Sequence, residues 1–186
     1  MKANELRPGI AVNLDGRVLV VIKTDHVKPG KGPAYVQAKM RDIKGTGTVE
    51  KRFSSSDNID GATLDRREME FLYESGDMFT FMDMEDYDQI EIPAELVGND
   101  KHYLTPNLKL IIMFHDGKPV TLELPGSVEV EITDTPPGIK GATVTNQLKE
   151  AECDTGLKTR VPPFIEVGEK VKVNTSDGSY ISRAKE

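Results

Sequence analysis

The sequence has no tryptophan, one cysteine and 6% aromatic residues in 186. A single cysteine, Cys153, excludes an internal disulfide and fits a reducing compartment. Few aromatics, with a net charge of −7, speak against an open groove for single-stranded nucleic acid, which needs stacking platforms and basic walls. Long apolar runs are missing too. Residues 18–22 and 110–114 are too short to cross a bilayer, so no membrane partner is expected. Residues 1–5 show no apolar stretch before a cleavage site, so no signal peptide is expected and the cytoplasm is inferred.

Recognisable chemistry is also scarce. His26, His102 and His115 are scattered and Cys153 has no partner, so surface or turn histidines are expected rather than metal ligands. No Gly-x-Ser-x-Gly nucleophile context occurs. The acidic residues between 83 and 88 lack calcium-loop spacing and read as a solvated acidic edge. No metal, no cofactor and no enzymatic activity are expected.

What the chain does have is uneven charge and many turns. Residues 1–64 carry 11 Lys/Arg against 7 Asp/Glu (+4), residues 65–126 carry 5 against 14 (−9), and residues 127–186 carry 8 against 10 (−2). A basic first third beside an acidic middle suggests that one end faces a polyanion. An Asp15-Gly16 turn between two β-prone runs predicts a hairpin. Tyr35, Gln37, Lys39 and Arg41 alternate with Val36, Ala38 and Met40, as a half-buried strand requires. Further strands are expected around Val49 to Phe53, Met69 to Tyr73, Phe79 to Phe81, and in a hairpin about His115 to Lys118. One short helix or two broken turns is predicted near residues 93–104, with Pro93 in the first turn. The final third adds strands at residues 128–132, 151–153, 158–161, 170–174 and 179–183. The fold class is all-β: three consecutive small barrels, 1–64, 65–126 and 127–186, with the middle one of OB type.

Lys28-Pro29-Gly30-Lys31-Gly32-Pro33-Ala34 lies between two of these strands. Pro29, Gly30, Gly32 and Pro33 shape a tight turn that holds Lys31 away from the protein body. It is not a phosphate-binding P-loop, because Gly-Pro and a strand follow the lysine instead of Ser/Thr and a helix. Taken alone, the turn reads equally as a hairpin tip kept soluble by its lysine.

With the Lys31 turn, four further blocks carry a family resemblance: Thr48-Val49-Glu50-Lys51-Arg52-Phe53; Val128-Glu129-Val130-Glu131-Ile132 with Pro137-Gly138-Ile139-Lys140-Gly141; Val161-Pro162-Pro163-Phe164-Ile165 with Gly168-Glu169-Lys170-Val171-Lys172-Val173; and Asp177-Gly178-Ser179-Tyr180-Ile181-Ser182-Arg183. In this order they resemble the bacterial elongation factor P family over essentially the whole chain. The resemblance implies an SH3-like (KOW-type) first barrel and two OB folds in an elongated, L-shaped molecule of tRNA outline. It implies a monomer that binds the ribosome, through ribosomal RNA and ribosomal proteins, between the peptidyl-tRNA and exit sites. There it would relieve stalling at consecutive prolines, with Lys31 reaching the acceptor end of the peptidyl-tRNA. A lysine-modifying enzyme acting on Lys31 is a further implied partner. Tyr180 and Arg183 are expected as third-domain contacts near the small subunit. The first could equally be a core residue and the second a surface charge.

Two positions depart from the family pattern. The resemblance implies ribosome or RNA contacts at Gly141 and Thr143, in a loop that commonly reads Gly-Asp-Thr and faces the exit-site codon. Here it is Gly141-Ala142-Thr143, and without the acidic residue that codon contact is called into question. Related paralogues of the elongation-factor-P-like type also lack that Asp. Pro33 stands where lysylated members usually carry a polar residue, so Lys31 is expected to work unmodified or with a modification other than β-lysylation. Two rivals differ in class. A carrier domain would also present a lysine at a hairpin tip, yet Ala38-Lys39-Met40 falls within a strand. An OB-fold single-strand nucleic-acid binder would need the stacking platforms that are lacking.

Overall fold

Apolar alternation and two-residue turns build the first sheet. β1 (Ala11–Leu14) pairs with β2 (Arg17–Val27) across Asp15 and Gly16, whose φ of 50° and 76° suit the mirror-image turn that matches strand twist. β3 (Tyr35–Asp42), β4 (Thr48–Ser54) and the short β5 (Asp60–Gly61) complete it in the order β4-β3-β2-β1-β5. Val36, Ala38 and Met40 point into a core shared with Val12, Leu19, Val21, Phe53 and Ile59, while Lys39 is exposed. The alternation expected of β3 is therefore the observed one. A 3-10 turn at Ala3–Glu5, not anticipated, tucks Ala3 and Leu6 beneath this core. The molecule is a computed structural model, in which residues 1–44, 47–138 and 147–185 are described. Gly141, Ala142 and Thr143 of the expected codon-facing loop lie outside the described residues, as do Gly45 and Thr46 of the turn after β3.

The second sheet contains β6 (Asp65–Ser75), β7 (Met78–Asp83), β8 (Gln89–Pro93), β9 (Lys109–His115) and β10 (Lys118–Glu123), in the order β10-β9-β6-β7-β8. Phe71 on β6 packs, tilted, at 5.9 Å from Phe79 and 5.4 Å from Phe81 of β7. The short helix α1 (Ala94–Val97) and a 3-10 turn (Gly98–Tyr103) match the expected pair of broken turns. Pro93, however, is the last residue of β8 and caps α1 from outside, with φ −63° and ψ 147°. Its fixed φ suits both states, and the preceding Gln89 to Ile92 pair with β7, so the strand wins there.

Asp83 corrects the reading of a solvated acidic edge. Only 5% exposed, it accepts the backbone N–H groups of Glu85 and Asp86 and pairs with Arg67. It closes the turn that leads to β8. His102 lies in the 3-10 turn Gly98–Tyr103, as expected of a turn histidine, but it is partly buried and its Nδ1 has no hydrogen-bond partner among the described residues.

The third sheet holds β11 (Ser127–Asp134), β12 (Lys149–Cys153), β13 (Lys158–Val161), β14 (Lys170–Asn174) and β15 (Tyr180–Arg183), in the order β13-β12-β11-β14-β15. Val128, Val130, Ile132, Val161, Ile165, Val171 and Val173 form its core, and Cys153 is buried among them. The architecture is thus mostly β, a three-domain fold of curled half-barrel sheets with one short α-helix among the described residues. By compactness, Met1–Arg66 with Ile112–Thr121 form one unit and Arg67–Ile111 with Leu122–Glu186 another. Within the first unit, Ala11, Val20 and Val120 make a second small core, and Arg41 donates to the carbonyl of Val120.

Candidate functional site

β2 and β3 pair as far as Val27 and Tyr35, leaving residues 28–34 as a seven-residue loop. The two strands arise because Thr24, His26, Val36 and Ala38 satisfy the ladder, whereas Pro29 and Pro33 lack the N–H that would extend it. Lys28 to Pro33 are all exposed. Gly32 has φ +104°, a backbone conformation that L side chains rarely adopt, and no atom lies within 4 Å of where its Cβ would sit. Gly30 is equally open but does not have a positive φ. No hydrogen bond or ion pair holds Lys31 among the described residues, so its ammonium is free for an external acceptor.

Both stems of the loop are fixed. On the β3 side, Ser55 N–H donates to the Ala34 carbonyl at 3.0 Å, and Ser54 N–H donates to Asp57 Oδ2 at 2.9 Å. Arg52 lies over the Tyr35 ring, with its guanidinium carbon 3.9 Å from the centroid. On the β2 side, His26 Nε2 is 3.1 Å from Arg7 Nη1 and 3.3 Å from the Leu6 carbonyl. An exposed lysine thus stands on an anchored base. Such an arrangement can present a positive charge from an anchored loop, and among the described residues no hydrogen bond or ion pair joins Lys31 to an acid or a base.

Tyr180 and Arg183 both belong to β15, on the third sheet. Tyr180 is half-buried, packs against the third core, and has its phenol pKa pushed up by burial. Arg183 lies over the Phe164 ring at 4.7 Å and holds Glu169 Oε1 at 3.3 Å. Structural duties therefore already occupy both side chains. Among the described residues, no three His, Cys, Asp or Glu form a group able to hold a metal. Cys153 sits in apolar surroundings that push its thiol up to about 11, an unreactive form at neutral pH.

Sequence reasoning missed Arg52 and Tyr35 as features of this site. Their partnership depends on strand register: Tyr35 pairs with Ser54 and Gln37 with Arg52, so the stack is a diagonal neighbour across β3 and β4. Tyr35 immediately after the loop was the available signal.

Three family models match the chain: "Elongation factor P (EF-P) KOW-like domain" over residues 2–59, "Elongation factor P (EF-P) OB domain" over 64–122, and "Elongation factor P, C-terminal" over 128–183. The chain is 45% identical over 182 residues to elongation factor P of Nocardioides sp., spanning 98% of this chain and 97% of that one. It is 46% identical over 180 residues to elongation factor P of Bifidobacterium animalis subsp. lactis, spanning 97% and 96%. A solved translation initiation factor 5A from Methanococcus jannaschii aligns over 66% of this chain and 92% of its own, at 23% identity and TM-score 0.42.

Proposed function

We propose, because this chain belongs to the elongation factor P family of translation factors, that it binds the ribosome between the peptidyl-tRNA and exit sites. There it promotes peptide-bond formation at consecutive prolines, with Lys31 addressing the acceptor end of the peptidyl-tRNA. The observation that carries this reading is the exposed, unpaired Lys31 on an anchored hairpin loop. Proline is a constrained, slow nucleophile, and ordering two reactants is worth up to about 7–11 kcal/mol of barrier in favourable cases. A cation placed on the tRNA end contributes by ordering, and ribosomal RNA performs the chemistry. The protein is then a factor rather than an enzyme, acting as a cytoplasmic monomer.

Domains at 1–64, 65–126 and 127–186 divide the labour by charge. The +4 first domain faces RNA backbone and the −9 middle domain stays clear of it. Tyr180 and Arg183 are the proposed small-subunit contacts of the third, through whatever surface their packing and the Arg183–Glu169 pair leave exposed. Pro33 stiffens the loop, so Lys31 works without β-lysylation, and an intact mass of the native protein carrying an added lysyl group would contradict this.

The central test is translation of a Pro-Pro-Pro reporter with and without the protein. Wild type should relieve the stall and Lys31→Ala should not, while both melt at the same temperature, because Lys31 is exposed and makes no hydrogen bond or ion pair among the described residues. Equal rescue by the two proteins would remove Lys31 from the mechanism. No rescue by either would remove the function.

A further inference from the structure

We propose that Arg52, held over the Tyr35 ring at the foot of the Lys31 loop, is a phosphate-binding residue that grips an RNA backbone. The inference rests on the ribosome-binding reading and adds a second anion contact to it.

Arg52 is exposed, and its guanidinium carbon lies 3.9 Å from the Tyr35 ring centroid. A cation–π contact of this kind uses the charge of the guanidinium against the ring and does not consume its N–H donors as hydrogen bonds to a protein acceptor. No hydrogen bond or ion pair occupies those donors among the described residues. Arg7, Arg17, Arg41, Arg67 and Arg183 differ in this respect, each being committed to an acceptor within the protein. Arg183 is also stacked, yet its Nη2 is committed to Glu169 and the Phe164 carbonyl. Arg7 donates to the carbonyls of Asn4 and Leu6, Arg17 faces Asp42, and Arg41 donates to Val120. Arg52 is oriented but uncommitted.

That combination suits a phosphate. A fork of coplanar donors matches two phosphate oxygens, and an arginine already fixed by stacking loses less freedom on binding than a free one. Position supports the same ligand. Tyr35 is the first paired residue after the loop, and Ser55 N–H bonds the Ala34 carbonyl beside it, so Arg52 stands on the same rigid stem that carries Lys31. Lys51 and Lys39 add positive charge on these two strands, against Glu50.

The phosphate could belong to tRNA or to ribosomal RNA, and the experiment separates them. Binding of wild type, Arg52→Ala, Arg52→Lys and Tyr35→Leu would be measured against KCl concentration, on vacant ribosomes and on ribosomes carrying peptidyl-tRNA. Arg52→Ala should lower the slope of log affinity against log salt by about 0.7 to 0.9, one phosphate contact. Arg52→Lys and Tyr35→Leu should keep the slope and lose about three- to tenfold in affinity, because charge remains and orientation is lost. A slope change confined to the tRNA-bearing ribosomes assigns the phosphate to tRNA, and one present on both assigns it to ribosomal RNA. An Arg52→Ala slope equal to wild type on both, even with weaker binding, overturns the inference and leaves Arg52 as a support for the loop. Failure of wild type itself to bind would instead overturn the ribosome reading on which this stands.

Discussion

Asp83 Oδ2 stands 3.2 Å from Arg67 Nη1, while the other oxygen of the same carboxylate accepts the Glu85 N–H at 2.8 Å. These bonds, the backbone one foremost, hold the Asp83 carboxyl below its ordinary pKa of 3.8. A group depressed on folding stabilises the protein above its unfolded pKa, and that stability is lost as pH falls through the folded value. Asp83→Ala should therefore cost about 1–3 kcal/mol at pH 7, the range for losing bonds to a buried charge. The difference from wild type should shrink below pH 4. Urea unfolding at pH 7 and pH 3 measures both effects.

Gly30 and Gly32 should respond differently to the same change. Gly32→Ala places a Cβ on a backbone at φ +104°, at a cost of roughly 1–2 kcal/mol or a reshaped loop. Gly30→Ala meets neither strain nor neighbours. Stall rescue should fall for Gly32→Ala and hold for Gly30→Ala, with both variants folded by circular dichroism.

Gly178 has φ +75°, and a Cβ there would lie 3.1 Å from the Tyr103 hydroxyl and 3.4 Å from Leu157 Cδ1. Gly178→Ala should destabilise by about 1–3 kcal/mol, part backbone and part crowding. Tyr103→Phe made in the Gly178→Ala background should recover the crowding part. Thermal melts of the four proteins form the cycle that shows it.

Cys153 should resist modification in the native protein. Its thiol is buried and its pKa is raised to about 11, first by desolvation and then by Asp154 and Glu152. At pH 8 a thiol reagent should label it at a rate set by unfolding, with full labelling in denaturant.

Strand positions were legible because one face of each strand is apolar: Val36-Ala38-Met40 and Val128-Val130-Ile132 state their burial in the sequence. β8 was not, since Gln89 to Pro93 is short and its proline suits either a strand end or a helix start. Asp83 looked solvated among its acidic neighbours, and only the turn shows that its oxygens face backbone amides. Lys31 stood out locally through its glycines and prolines. Arg52 could not, because its partner Tyr35 lies seventeen positions away and the contact exists only through strand register.

Beyond the register shift between Val21 and Lys23, the β2–β3 stem runs as a regular ladder from Lys23 and Lys39 to Val27 and Tyr35. Its reach is therefore adjustable only in steps. Adding one residue to each strand would carry Lys31 outward by about 3.4 Å but turn Tyr35 to the opposite face, off Arg52. Adding two to each would carry it about 7 Å farther with every side chain facing as before. Reach and facing are thus coupled in this hairpin, and one that grew by two residues in β2 and β3 would keep the Tyr35–Arg52 contact only if β4 grew by two as well.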